Sequence, residues 1–251
     1  MTAIKSSLAI STKNALMGTT TPMNRRRRKV GLSAAGALCG LGLLATPGVA
    51  QITCPDGVFS IAAEPELAPQ MCAIASDARE GLLTCGIELD RPLQIEMVED
   101  LPTGCIGEYH CDQDRITLLS PQAVRNELGD DHHPLRQIDP ETYLASVLVH
   151  ELVHAALESM PCPFISCVAS QEYVAYAMQM RSLPPNARSA LLTRPSLDRT
   201  ITDEEINPII AQMAPDLFMQ KAWLHFSQQE DPCGFVQRIA AGAFLFDHDM
   251  H

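Results

Sequence analysis

No CxxC pair occurs in the sequence, so neither a thioredoxin-like redox pair nor a cysteine-built zinc cluster has support. Basic residues are scarce beyond position 50. Residues 51–251 hold all 30 acidic side chains but only 11 of the 18 basic ones, a formal net charge of 11 − 30 = −19. A surface that negative argues against nucleic acid and anionic membrane as partners. The apolar stretch Val30 to Ala45 is shorter than the ~20 residues that a membrane span needs. No internal repeat, low-complexity tract or linker interrupts the remainder.

That short apolar stretch has another reading. It follows a basic run, Arg25 to Lys29, and leads into Pro47, Gly48 and Ala50. The layout is that of a secretory signal peptide, with cleavage expected after Ala50. Residues 1–50 are therefore read as an N-terminal extension and signal peptide. Met23 is an alternative start, since residues 1–22 fit no part of such a peptide. Cys39 does not sit in a lipoprotein cleavage box. The expected mature domain is 51–251, placed in a bacterial periplasm or the medium, with no stable membrane span after cleavage.

Cysteine usage agrees with export. Cys54, Cys72, Cys85, Cys105, Cys111, Cys162, Cys167 and Cys233 make an even count, which predicts four disulfides. Sequence assigns one pair, Cys162–Cys167.

Periodicity sketches an α+β chain. ELAPQMCAIASDAREGLLT (66–84) spaces its apolar residues for a helix, and LQIEMVED (93–100) alternates as a half-buried strand. CIGEYHC (105–111) and RITLLSP (115–121) read as a hairpin. Asp139-Pro140 announces a helix to about Glu158. Ser170 is expected to cap another that ends near Ser182, before Pro184-Pro185. Thr202 and Glu205 form a capping-box pattern for a third helical region, 203–229, broken near Pro215. The tail is expected as a short helix and then a strand or extended end.

LASVLVHELVHAALESM (144–160) carries the chemistry. On a helix, His150 and His154 project side by side, because positions i and i+4 differ by about 40° around the axis. Two neutral imidazoles on one face are a bite for a divalent metal, and zinc favours such ligands. Glu151 lies beside that bite, where it can take a proton from an activated water: the HExxH arrangement of zinc hydrolases. The plain alternative is a buried helix with structural histidines.

A third ligand is needed. The residues after His154 contain neither the glycine nor the third histidine of the metzincin pattern. Glu172, in SQEYVAYAMQ 18 positions after His154, is the candidate; the alternative is a carboxylate favoured by the helix dipole. Asp203, Glu204, His225, His132 and His133 are fallback ligands. HELVH followed by Glu172 on the next helix resembles the gluzincin metallopeptidases, with Ala175 supplying the small residue that lets the helices approach. The chain also resembles a family of uncharacterised secreted bacterial proteins that share the EYVAYAMQ-type segment.

The resemblance implies a zincin-like fold: a small mixed sheet packed on the active-site helix, further C-terminal helices and disulfide staples. It implies one zinc per chain on His150, His154 and Glu172, with Glu151 as general base. Tyr176, one turn beyond Glu172, is a candidate oxyanion donor, and Tyr173 points elsewhere. A peptide or protein substrate would pair with the outer hairpin strand, Ile106 to His110. The competing expectations are a non-catalytic exported binding or inhibitor protein and a hydrolase of cell-wall peptide cross-links.

Overall fold

The protein is described by a computed structural model covering residues 49–127, 138–192 and 197–247. The signal-peptide segment, apart from Val49 and Ala50, and the His132-His133 pair lie outside those residues.

Strands β1 (Ala50–Thr53) and β2 (Phe59–Ala63) pair antiparallel. Helix α1 (Ala68–Leu83) crosses back, so that β3 (Leu93–Val98) pairs parallel to β2. Then come β4 (Gly107–His110) and β5 (Arg115–Leu119), an antiparallel hairpin whose β5 lies parallel to β3. The mixed sheet has the order β1-β2-β3-β5-β4, so the expected outer strand β4 is an edge. In-register Ile61, Ile95 and Ile116, with Tyr109 beyond, form one buried row across four strands. Alternation puts such rows on one face, and there α1 and α3 pack.

Helix α2 (Pro121–Glu127) precedes α3 (Pro140–Ala156), which starts as expected. Asp139 accepts from the Thr142 N–H at 2.9 Å, and Pro140 occupies the first turn. Every residue from Ser146 to Ala155 is buried. Sequence anticipates one buried face; the difference arises because the sheet, α1 and α4 close around α3 from several sides.

Helix α4 (Val168–Ser182) begins two residues before its expected cap. Ser170 lies inside the first turn and donates to Asp247 at 2.6 Å. Asp247 also accepts from the N–H groups of Ala169 and Ser170, at 2.8 and 3.0 Å. The helix is thus capped from 77 residues away, which no local pattern reports.

Helix α5 (Pro185–Leu191) follows. The Thr202–Glu205 capping box is present, but it opens a single 3-10 turn (Asp203–Glu205). Prolines then start α6 (Pro208–Met213), α7 (Pro215–Gln228) and α8 (Pro232–Ala240). No strand follows α8 among the described residues.

Among the described residues three disulfides form where four are expected. Cys162–Cys167 closes the α3–α4 loop, Cys54–Cys72 ties β1 to α1, and Cys85–Cys233 ties the end of α1 to α8. Cys105 and Cys111 keep their thiols. They flank β4, and extended chain at about 3.3 Å per residue holds them beyond the ~7 Å that a bridge tolerates. Three disulfides fit an oxidising compartment. No helix among the described residues is long and apolar enough to cross a membrane.

Candidate metal centre

The second half of α3 and the first half of α4 lie side by side, and three side chains converge between them. His150 and His154 Nε2 are 3.0 Å apart. Glu172 places Oε2 3.4 Å from His150 Nε2 and Oε1 3.6 Å from His154 Nε2. Ligands held ~2.0–2.1 Å from a tetrahedral zinc lie about 3.3 Å from one another. The measured separations bracket that edge, and the donor set is one that zinc favours. Ala175, expected as the small residue between the helices, is fully buried on α4.

Glu172 is the fifth residue of α4, beyond the first turn, where α4 has no acidic residue. A helix-dipole role therefore explains little of its placement.

Electrostatics differ across the group. Burial pushes the His154 pKa down to about 4, so it stands neutral, as a ligand must. Burial alone would lower His150 as well, but the hydrogen bond and charge of Glu172 raise it overall. Burial lifts Glu151 to about 7, partly opposed by His150.

Glu151 is completely buried. Its Oε2 accepts the backbone N–H of Tyr109 at 2.9 Å, and its buried Oε1 has no hydrogen-bond partner. Leu119 N donates to Ile106 O, so alternation turns Gly107 and Tyr109 away from β5. The Tyr109 N–H on this outward edge is the one that Glu151 holds. Gly107 permits the approach: a Cβ there would meet Val147 Cγ1 at 2.8 Å and Glu151 Cγ at 3.1 Å.

The Tyr176 ring stands edge-on to His150, with centroids 4.5 Å apart. Burial and the Glu172 carboxylate hold its pKa well above 10, so it keeps its proton. Tyr173 points elsewhere, as expected, and its hydroxyl meets His225 Nδ1 at 2.9 Å. His225 Nε2 lies 2.8 Å from Asp203 Oδ1. Among the described residues, the metal-capable cluster contains His150, His154 and Glu172 and none of the fallback ligands.

Sequence reading missed two supports. Gln179, fully buried on α4, places Oε1 3.2 Å from His150 Nδ1. Arg91 donates to the Tyr109 hydroxyl and to Ala155 O, both at 2.8 Å, and pairs with Asp114 and Glu158. It thereby fastens the hairpin to the end of α3. Both act across long sequence separations, and a scan for ligand spacing is blind to them.

Residues 59–249 match a family of unknown function, DUF6639. No curated protein and no solved structure matches the chain.

Proposed function

We propose that this chain, which belongs to the DUF6639 family of unknown function, is an exported zinc-dependent hydrolase that cleaves peptide bonds. The observation that carries the reading is the convergence of His150, His154 and Glu172 at 3.0, 3.4 and 3.6 Å. The buried carboxylate of Glu151 stands beside them on α3.

Zinc held by these three residues would polarise a scissile carbonyl and lower the pKa of the attacking water. Glu151 is the general base. Its unbonded Oε1 can accept the proton of the water, and a proton affinity raised to about 7 lets it pass that proton to the leaving amine. Tyr176, protonated and packed on His150, is the candidate donor to the oxyanion. An extended peptide would bind along β4 by strand addition. The Gly107 backbone and the Tyr109 carbonyl point away from β5 on that edge, while the Tyr109 N–H already serves Glu151.

The test is zinc per chain in the oxidised protein, purified without chelators or added metal. A value near one is expected. A value near zero that added zinc does not restore would sink the reading and favour a non-catalytic binding protein.

A further inference from the structure

Gln179 is completely buried on α4. A buried amide is tolerated when its hydrogen bonds are made, and those of Gln179 run in one direction. Its Nε2 donates to Ser146 Oγ at 3.4 Å, and Ser146 Oγ donates to the Tyr143 carbonyl at 2.6 Å. The Ser146 proton is thus committed to a backbone oxygen, which can only accept. Ser146 Oγ therefore offers a lone pair to Gln179, and the amide must turn its NH₂ towards Ser146. That leaves Oε1, an acceptor only, facing His150 Nδ1 at 3.2 Å. The neutral His150 ring must then carry its proton on Nδ1 and leave Nε2 bare, aimed at His154 and Glu172.

We infer that Gln179, oriented by Ser146, is the positioning residue that fixes the tautomer and ring angle of His150 for metal binding. The relay starts at a helix carbonyl, whose direction α3 itself dictates, and ends at the nitrogen that would meet the ion. It uses a neutral amide, so it sets the proton without adding a charge to the core. Outer-shell partners of this kind orient ligating histidines and typically change metal affinity when removed. The assignment rests on the proposed zinc site for its purpose, but the tautomer is a property of the zinc-free protein as well.

The experiment measures two quantities in the full chain: zinc affinity by chelator competition, and the His150 tautomer by ¹⁵N NMR of the zinc-free protein with neutral imidazoles. Gln179→Met is expected to weaken zinc roughly 10- to 100-fold and to release His150 into a mixture of tautomers. Gln179→Glu, which keeps an acceptor at Nδ1, is expected to restore the Nδ1–H form and most of the affinity. Ser146→Ala, which frees the amide to flip, should show a partial loss, and it covers the case in which Gln179→Met does not fold. Unchanged tautomer and affinity in both Gln179→Met and Ser146→Ala would overturn the inference, as would failure of Gln179→Glu to restore them. A wild-type protein that binds no zinc yet holds His150 as the Nδ1–H tautomer would refute the proposed function while leaving the relay intact.

Discussion

The Tyr109 backbone N–H donates to Glu151 Oε2 at 2.9 Å, so the sheet edge grips the carboxylate beside the candidate metal centre. One oxygen of Glu151 is thereby held by the main chain, and the other is buried with no hydrogen-bond partner.

Glu151→Gln separates those roles. The amide keeps an oxygen for the Tyr109 N–H but cannot take a proton. Zinc content should stay at the wild-type level while peptide hydrolysis falls by roughly 10²- to 10⁴-fold. His154→Ala should instead lose the metal. Metal analysis beside a peptide-library assay reads both, and equal zinc loss in the two variants would contradict the assignment of Glu151 as base.

Gly107→Ala tests the close approach of β4 to α3. The new methyl would meet Val147 Cγ1 at 2.8 Å and Leu118 Cδ2 at 2.9 Å. Overpacking of this kind costs on the order of 1–3 kcal/mol. A lower urea midpoint should accompany faster hydrogen exchange at the Tyr109 amide. Unchanged exchange would mean that the strand does not depend on that contact.

Asp247→Ala should destabilise the protein by about 2 kcal/mol, because α4 loses a charged acceptor for two backbone N–H groups and one hydroxyl. The Asn variant, which keeps an oxygen, should recover part of the loss in the same chemical denaturation series.

Acid should expose the role of Glu205. Hydrogen bonds from Arg199, with Lys221 adding to them, hold this carboxyl well below the usual carboxylate range. A depressed folded-state pKa contributes stability above the unfolded value of about 4.3. That contribution is lost as pH falls below it. The stability difference between wild type and Glu205→Gln should therefore be present at neutral pH and shrink in acid. Partial exposure of Arg199 keeps the effect small and salt-sensitive. Urea midpoints across pH for both proteins check it.

Opening Cys85–Cys233 with a paired alanine substitution should cost roughly 2–5 kcal/mol, since the bridge closes a span of 148 residues. Loss of Cys162–Cys167, five residues apart, should cost less. Thermal melts of the two paired variants rank them.

Much of this fold was legible where signals are local. The β4–β5 hairpin, the Asp139-Pro140 start of α3 and the Cys162–Cys167 staple all depend on residues close in sequence. Strands β1 and β2 were not legible: each has only four or five residues, and Ile61, Ala62 and Ala63 are consecutive and buried, which hides alternation. The start of α4 misled because Ser170 looks like a cap, whereas its hydroxyl serves a carboxylate 77 positions on. At the candidate site, the convergence of His150, His154 and Glu172 follows from helix geometry and the expected order of two helices. Gln179 and the Tyr109 N–H did not, since each reaches its partner only once α3, α4 and the sheet have packed.

Glu172 and Tyr173 are consecutive on α4 and are turned about 100° apart. The first meets the two histidines; the second is locked among His225, Phe235 and Phe246. The C-terminal helices therefore set the azimuth of α4. A rotation of that rod by even part of a step would swing the Glu172 carboxylate off the imidazoles, so torsional stiffness of the aromatic cluster becomes the tolerance to which that carboxylate is machined.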